Sequence, residues 1–323
     1  MKSTEAETGL PRFEGYPKGW FVIGFSDEYT PGDVKKLHYF DQALVAFRDD
    51  TGVLQVKDGY CPHLGAHLGA GGQVEGTCIR CPFHHWLFDQ SGACVEIPYT
   101  DRRIPKQARL EPWTVREQDG LIYLWHHPDK DEPEFDVPTI QRGDGEWLPW
   151  KHHVLRLKTH SREIVENVVD IAHFKYIHGT HVDRFENRFE GHKAIQINEG
   201  TAYPRGGGKD EFKLEATYYG PGVQISDMRG VLHSLLVNAH TMVDENTLDL
   251  RFGVSLRPTG NEEQTERIAE MYIQNLTQGF LEDVEIWENK TFRELPILCA
   301  HDGPIMKLRK WYAQFYAPYP EGS

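Results

Sequence analysis

The sequence predicts an all-β module followed by an α+β module, and three features of the chain support this order. From Trp20 to Trp125, short apolar runs alternate with turn clusters, a spacing typical of a small β-sandwich or barrel. Residues 129–134 are acidic and contain proline, as linkers often do. Beyond them, two helical patterns enclose a strand-rich stretch. The 323 residues suffice for two domains, each with its own core.

The individual elements follow from residue type and periodicity. In the first module, β-prone apolar runs predict strands at Leu37–Phe40, Ala43–Phe47, Val53–Val56, Thr114–Val115 and Leu121–Trp125. In the second module, apolar residues recur with helical spacing from Glu163 to Ile177 and from Glu262 to Asn289. The strands predicted between these helices are Ala194–Ile197, Lys213–Tyr219, Leu232–Val237 and Thr247–Leu256.

Composition and charge exclude several classes of protein. Lys and Arg number 35 and Asp and Glu 49, so the formal net charge of −14 disfavours nucleic-acid binding and docking on anionic membranes. Five cysteines are too few, and odd in number, for a disulfide framework. Residues 1–13 lack the apolar core of a signal peptide, and no apolar run is long enough for a transmembrane anchor. We therefore expect a cytoplasmic protein.

The first candidate site is a pair of cysteine–histidine motifs. Cys61 and His63 are followed, after 17 residues, by Cys81 and His84. Two thiolates and two imidazoles can hold a Rieske 2Fe–2S cluster, in which one iron has two cysteine ligands and the other two histidines. A structural zinc with the same ligands is the alternative, although zinc modules usually place like residues in short doublets. The other three cysteines, Cys78, Cys94 and Cys299, are interpreted as structural.

The second candidate site lies on the first helix of the second module. Asn167, Asp170 and His173 are spaced by three, so a regular helix would place them on one face among apolar residues. His178 lies five residues beyond His173, about 140° round an ideal helix. Because Gly179 follows directly, we expect the helix to end near 176–177 and let His178 turn back. His181 is a competing candidate.

Two histidines and one carboxylate form the facial triad of non-haem iron(II) oxygenases. The second long helix offers Asp283 amid apolar residues, which favours an inward position. The neighbouring Glu282 is not excluded by this pattern.

Together these motifs resemble the oxygenase (α) subunits of the Rieske non-haem iron oxygenases, from Trp20 to about Lys290. The resemblance implies a Rieske 2Fe–2S domain at 16–127 and a catalytic mononuclear iron domain at 128–323, with residues 1–15 packed on the latter. It implies a helix-grip-like catalytic domain, in which helices cover an antiparallel sheet. It further implies a cluster on Cys61, His63, Cys81 and His84, and iron on His173, His178 and Asp283. Asp170 matches the family's carboxylate that bridges neighbouring subunits, and Asn167 a position near the iron.

The segments 61–69, 81–88 and 94–99 resemble the sterol-modifying branch, including the sterol 7-desaturases, and 283–290 resembles the 3-ketosteroid 9α-hydroxylases. The resemblance implies a homotrimer that takes electrons from an NAD(P)H-dependent ferredoxin reductase and uses dioxygen to oxidise a sterol or steroid. The alternatives are a Rieske oxygenase of smaller aromatic substrates and a Rieske electron carrier without catalysis. Strands from Tyr218 to Val237 are candidates for lining the substrate pocket.

Overall fold

The computed structural model describes residue 13 and residues 15–142, 146–179, 181–202, 210–230, 233–258 and 260–316. Over these residues the chain forms two compact units. The smaller unit comprises residues 21–125 together with 241–245. The larger unit comprises the described residues up to 20, 126–240 and from 246 onward.

The smaller unit is built from three small antiparallel sheets, as its short apolar runs predict. The first sheet has the order β1-β11-β10, the second β2-β3-β4-β9 and the third β5-β6-β7-β8. The strands are β1 (Gly19–Phe25), β2 (Val34–Tyr39), β3 (Gln42–Arg48), β4 (Leu54–Asp58), β5 (Gln73–Glu75), β6 (Cys78–Arg80), β7 (Leu87–Phe88), β8 (Cys94–Glu96), β9 (Pro112–Trp113), β10 (Val115–Gln118) and β11 (Leu121–His126).

A group of buried apolar residues in the smaller unit packs beneath the two loops that are predicted to bind the iron–sulfur cluster. Phe47, Leu68, Ile79 and Phe88 are fully buried and pack around Cys61 and Cys81, together with other residues of β3, β6 and β7. Because a close-packed interior allows few alternative positions, this packing fixes the bases of both loops.

The larger unit contains one seven-stranded antiparallel sheet, so the predicted α+β class is confirmed. Its order is β12-β18-β17-β16-β15-β14-β13. The strands are β12 (Lys151–Leu157), β13 (His181–Glu190), β14 (Lys193–Ala202), β15 (Asp210–Tyr219), β16 (Val223–Arg229), β17 (Ser234–Asp244) and β18 (Thr247–Leu256). Its helices are α1 (Ser161–Val165), α2 (Ile171–Tyr176), α3 (Glu262–Trp287) and α4 (Ile305–Ala313).

The helices of the larger unit pack on this sheet, as the resemblance implies. The long helix α3 contacts β12 and β18, and α2 contacts β13. The helix α3 begins where its pattern predicts, since the Asn261 side chain accepts a hydrogen bond from the Gln264 N–H at 2.9 Å. Of the N-terminal segment expected to pack on this unit, Phe13 contacts Tyr312 and Tyr316, while residues 1–12 and 14 lie outside the described residues.

The predicted continuous helix from Glu163 to Ile177 is wrong. The segment consists of α1, a 3₁₀ turn at Glu166–Val168, and α2, and Asp170 between them has an extended backbone with ψ of 93°. Aspartate competes for backbone hydrogen bonds and prefers the cap to the interior of a helix. The side chain of Asp170 therefore caps the start of α2, and the backbone is not helical at Asp170 itself.

Candidate metal centres

The four predicted cluster ligands lie in two loops of the smaller unit that fold in the same way. In each loop, the N–H of the cysteine donates to the carbonyl five residues on, and its own carbonyl accepts from the N–H four residues on. These distances lie between 2.8 and 3.2 Å for Cys61 and Cys81 alike. The fourth residue after each cysteine, Gly65 or His85, has a left-handed backbone with φ of +75° or +60°. Two matching turns thus present two cysteines and two histidines.

The imidazoles of the two loops lie against each other. The ring centroids of His63 and His84 are 4.7 Å apart, with 71° between the ring planes. The ring of His63 stacks on Trp86 at 4.5 Å, and the Trp86 indole N–H donates to the Tyr99 hydroxyl at 2.7 Å. Tyr99 lies in an irregular segment, so no periodic pattern in the sequence predicts its contact with Trp86. Both side chains hold the orientation of His63.

The chemistry of these donors fits a metal cluster. Cys61 and Cys81 are each only 2% exposed. Burial, to which the neighbouring Cys81 adds, raises the pKa of the Cys61 thiol to about 12. The Nδ1 atom of His63 is buried and has no hydrogen-bond partner. A buried polar atom without a partner is costly, and coordination of iron by the nitrogen removes that cost.

The remaining cysteines occupy different surroundings. Cys94 is buried in the core beneath the loops, and Cys78 is half-buried on β6. Cys299 is exposed, with its thiol 3.4 Å from the Asp302 carboxylate. None of the five cysteines, all of which the structure describes, forms a disulfide.

The second group of predicted ligands lies within the larger unit. His173 is on α2, His178 follows the end of that helix, and Asp283 is on α3. One potential ligand atom from each residue lies within 4.8 Å of those of the other two. The Nε2 atom of His178 is 3.3 Å from the nearer Asp283 oxygen, and Asp283 is 7% exposed. Two imidazoles and a buried carboxylate are a donor set that suits iron(II).

The end of α2 explains how both histidines reach one point. The helix ends at Tyr176, as predicted, and the N–H of Ile177 donates to the His173 carbonyl at 2.8 Å. Gly179 has a φ of +62°, a backbone conformation that glycine adopts without steric cost. His178 therefore leaves the helical path, and its ring centroid lies 5.4 Å from that of His173.

The backbone fixes the orientation of His173. Its Nδ1 lies 2.5 Å from the carbonyl oxygen of Asp170, so Nδ1 carries the hydrogen and Nε2 is available to bind a metal. Burial lowers the pKa of His173, which favours the neutral imidazole that binds a metal.

Asp170 and Asn167 do not lie on one helical face with His173, because the helix is interrupted between them. Asp170 is the cap of α2, and its Oδ1 accepts from the N–H of Ala172 at 3.1 Å and of His173 at 3.3 Å. Asn167 is half-buried in the 3₁₀ turn. The structure thus gives Asp170 a capping role that the spacing alone did not predict.

The competing candidates are placed differently. His181 is the first residue of β13, is exposed, and lies 3.3 Å from Asp183. Glu282 lies on the other side of His178, with a carboxylate oxygen 3.8 Å from Nδ1. Asp283 and Glu282 therefore approach opposite nitrogens of one imidazole, and Asp283 is the carboxylate grouped with both histidines.

The presence of both kinds of centre in one chain defines a class of enzyme, the Rieske non-haem iron oxygenases. The model of the Rieske [2Fe-2S] domain matches residues 19–114, and that of the 3-ketosteroid 9α-hydroxylase C-terminal domain matches residues 124–316. The chain belongs to this 3-ketosteroid 9α-hydroxylase family of Rieske oxygenases. Its cofactors are a Rieske 2Fe–2S cluster and a mononuclear iron.

Curated relatives support the same assignment over nearly the whole chain. A 3-ketosteroid-9-alpha-monooxygenase oxygenase component of Rhodococcus rhodochrous is 39% identical over 93% of this chain and 81% of the relative. The corresponding protein of Mycobacterium tuberculosis is 36% identical over 93% of this chain and 82% of the relative. Cholesterol 7-desaturase of Caenorhabditis elegans is 31% identical over 93% of this chain and 77% of the relative.

Solved structures share the fold at lower sequence identity. Dicamba monooxygenase bound to dicamba matches with a TM-score of 0.75 and 17% identity, covering 92% of this chain and 96% of the other. NdmB of Pseudomonas putida CBB5 matches with a TM-score of 0.69 and 16% identity, over 91% and 89% of the two chains. Among the residues that the structure describes, no helix is long and apolar enough to cross a membrane.

Proposed function

We propose that this protein is the oxygenase component of a monooxygenase that oxidises a steroid or sterol. The main evidence for oxygenase chemistry is the group of His173, His178 and Asp283. Their potential ligand atoms lie within 4.8 Å of one another. The substrate class rests on the relatives, since those named as 3-ketosteroid-9-alpha-monooxygenase components and the one named cholesterol 7-desaturase bear names that refer to steroid ring systems.

The ligands of the two cofactors are part of this proposal. Cys61, His63, Cys81 and His84 hold the cluster, supported by the matching loops and the partnerless Nδ1 of His63. His173, His178 and Asp283 hold the iron. When bound, the iron activates dioxygen with electrons that the cluster supplies.

The protein's own residues orient these ligands. The Asp170 carbonyl holds the Nδ1 hydrogen of His173, and the Asp170 carboxylate caps α2, so one residue fixes both the ring and its helix. Such outer contacts keep a ligand in one tautomer and raise its basicity. Asn167, in the preceding turn, is a residue near the iron that does not bind it.

The assembly follows from the resemblance. In a homotrimer, the cluster of one subunit serves the iron of the next, and Asp170 connects the two centres: its backbone carbonyl holds the Nδ1 hydrogen of His173, and its carboxylate accepts from His84 of that neighbour. The helix cap uses Oδ1 of Asp170, and the second carboxylate oxygen, Oδ2, is the acceptor for the contact with His84. A carboxylate has room for several hydrogen bonds, so capping and bridging are compatible.

The electrons come from a separate NAD(P)H-dependent ferredoxin reductase, and the protein acts in the cytoplasm, where thiols that bind no metal, such as Cys78, Cys94 and Cys299, stay reduced. For hydroxylation, a C–H bond, dioxygen, two electrons and two protons give an alcohol and water. A Rieske electron carrier would need only the smaller unit, and the group on α2 and α3 would then have no role.

The direct test incubates the protein with a Rieske-type reductase, NADH and a panel of sterols and 3-ketosteroids, and identifies products by mass spectrometry. Methoxybenzoates serve as the matched panel of smaller aromatic substrates. We expect oxygenated steroids and unchanged aromatics. Demethylated aromatics with unchanged steroids would contradict the proposal and favour the smaller-substrate alternative.

A further inference from the structure

A buried amide lies on the same face of the sheet as the residues that contact the iron-binding helix. In the sheet register, Asn198 of β14 lies opposite Phe185 of β13. Directly opposed residues of antiparallel strands point to the same face. The ring of Phe185 is 5.9 Å from Phe174 of α2, and the ring of Phe174 is 4.1 Å from that of His173. Asn198 therefore faces the side of the sheet on which α2 lies.

The amide of Asn198 has no partner within the protein. The residue is 0% exposed, yet neither its Nδ2 nor its Oδ1 has a hydrogen bond. Two residues before it on the same face, Gln196 is 2% exposed and its Nε2 also lacks a partner. Asn187, which lies opposite Gln196, donates from Nδ2 to the Val168 carbonyl at 2.9 Å, whereas its Oδ1 lacks a partner. Buried amides without partners are rare, because each missing hydrogen bond is costly.

The neighbours of Asn198 are mainly apolar. Across the sheet it lies between Phe185 and Leu214, and Met228 of β16 follows in the same row. Binding sites for small molecules combine such apolar walls with a few polar groups that fix orientation. An apolar ring system bearing a single oxygen suits both the apolar neighbours and the unpaired amide of Asn198.

We propose that Asn198 recognises an oxygen substituent of the steroid substrate, an inference that rests on the proposed function. Its Nδ2–H donates to a ketone oxygen, and its Oδ1 can in addition accept from a hydroxyl group. A site built to hydrogen-bond a substrate group discriminates strongly against an analogue that lacks it, because the buried amide is then left unpaired. Asn198 is thus a specificity-determining residue that lies outside the set of metal ligands.

The test measures dissociation constants for the anaerobic holoenzyme by calorimetry. The probes are a steroid with ketones at both ends and its two analogues that each lack one ketone oxygen. For the unmodified protein, we expect one of the two analogues to bind about tenfold more weakly, the effect of one good hydrogen bond. In Asn198→Leu, that analogue should bind as tightly as the diketone. Any difference in affinity between the diketone and the other analogue should persist.

A matched control removes a buried polar group from the opposite face. Thr217 of β15 is 7% exposed, and it lies opposite Ile195, whose side chain points away from the face of Asn198. Thr217→Val should leave the relative affinities for the diketone and its two analogues unchanged. Because Asn198→Leu removes a partnerless amide, its melting temperature should equal or exceed that of the unmodified protein, with the visible absorption of the cluster retained.

The outcomes separate this inference from the proposed function. If the steroids bind and are oxidised but Asn198→Leu keeps both discriminations, the inference is wrong and the proposed function stands. A lower melting temperature together with unchanged discrimination would mean that the amide holds a structural water molecule instead. If no steroid binds the unmodified protein, the proposed function fails and the inference fails with it.

Discussion

The two metal centres of this protein are built in contrasting ways. All four proposed cluster ligands lie between residues 61 and 84, in two loops with the same hydrogen-bonding pattern. The proposed iron ligands lie on α2, just after its end, and on α3, and 104 residues lie between His178 and Asp283. The first centre depends on local turns above a small core, whereas the second depends on how a long helix packs on a sheet. A motif can specify the first, but only tertiary structure completes the second.

The largest effect should come from breaking a cluster loop. Replacing Cys81 with serine removes a thiolate whose loop is packed into the core, so we expect loss of the cluster and of steroid oxidation. Iron analysis should fall from about three to about one atom per chain, because the larger unit keeps its own site. If Cys81→Ser kept the absorption spectrum of a 2Fe–2S cluster, the assignment of this ligand would be wrong.

The corresponding change at the second centre should be selective. His178→Ala removes one of three ligands, so iron should fall from about three to about two atoms per chain, with the cluster spectrum unchanged. His181→Ala is the matched control, since that histidine is exposed and pairs with Asp183. If the His181 variant lost iron and the His178 variant retained it, His181 and not His178 would be the iron ligand.

A smaller effect should separate the two roles of Asp170. Asparagine caps helices as well as aspartate does, so Asp170→Asn should keep α2 and both cofactors. Without the carboxylate, the proposed bridge to the neighbouring subunit is weakened, and transfer of an electron from cluster to iron should slow by about 10- to 100-fold. Stopped-flow spectroscopy of the reduced protein measures this rate.

Asp170→Ala provides the comparison, because it removes the cap as well. We expect it to lower the free energy of unfolding by about 1 kcal/mol, while Asp170→Asn leaves that energy nearly unchanged. Normal electron transfer in Asp170→Asn would remove the bridging role and leave the capping role intact.

Acid should affect the larger unit through its buried histidines. Burial lowers the pKa of His126 to about 4 and those of His160 and His240 to about 3. The unfolded chain therefore takes up protons that the folded unit does not, and stability is lost as the pH falls below about 6.5. Each histidine contributes at most about 1.4 kcal/mol per pH unit.

Denaturant titrations followed by the far-ultraviolet signal from pH 8 to pH 5 measure this loss. His240→Gln should make the dependence shallower, because that histidine, held by Ser161 and Tyr218, would no longer take up a proton on unfolding. If the free energy of unfolding depended on pH equally in the variant and the unmodified protein, the assignment of His240 as a neutral, buried imidazole would be wrong.

The smallest effect should come from the turn that the two loops share. Gly65 and His85 hold equivalent positions with left-handed backbones. Gly65→Ala introduces strain of about 1 kcal/mol and should lower the melting temperature slightly without loss of the cluster. His85→Gly relieves the same strain in the other loop and should raise the melting temperature slightly. A higher melting temperature for Gly65→Ala, or a lower one for His85→Gly, would contradict the equivalence of the loops.

Sequence reasoning succeeded where chemistry is local and failed where it depends on packing. The spacing of Cys61, His63, Cys81 and His84 is a recognisable motif, and Gly179 marks the end of α2. The helical periodicity from Glu163 to Ile177 hid the break at Asp170, because apolar residues continue on both sides of it.

Other elements lack a pattern that could reveal them. The edge strand β13 is rich in charged residues, and α4 has no side-chain cap at its start. The burial of Asn198 depends on the alignment of β13, β14 and β15, which no single segment encodes.

A single turnover tests most directly the claim that both centres serve one oxidation. The fully reduced protein, without reductase, is mixed with a 3-ketosteroid and ¹⁸O-labelled dioxygen, and steroid and cluster are measured together. One electron from each centre suffices for one hydroxylation, so we predict a steroid carrying one ¹⁸O atom, about one molecule per iron site, as the cluster becomes oxidised. An oxidised cluster with unchanged steroid would contradict the account.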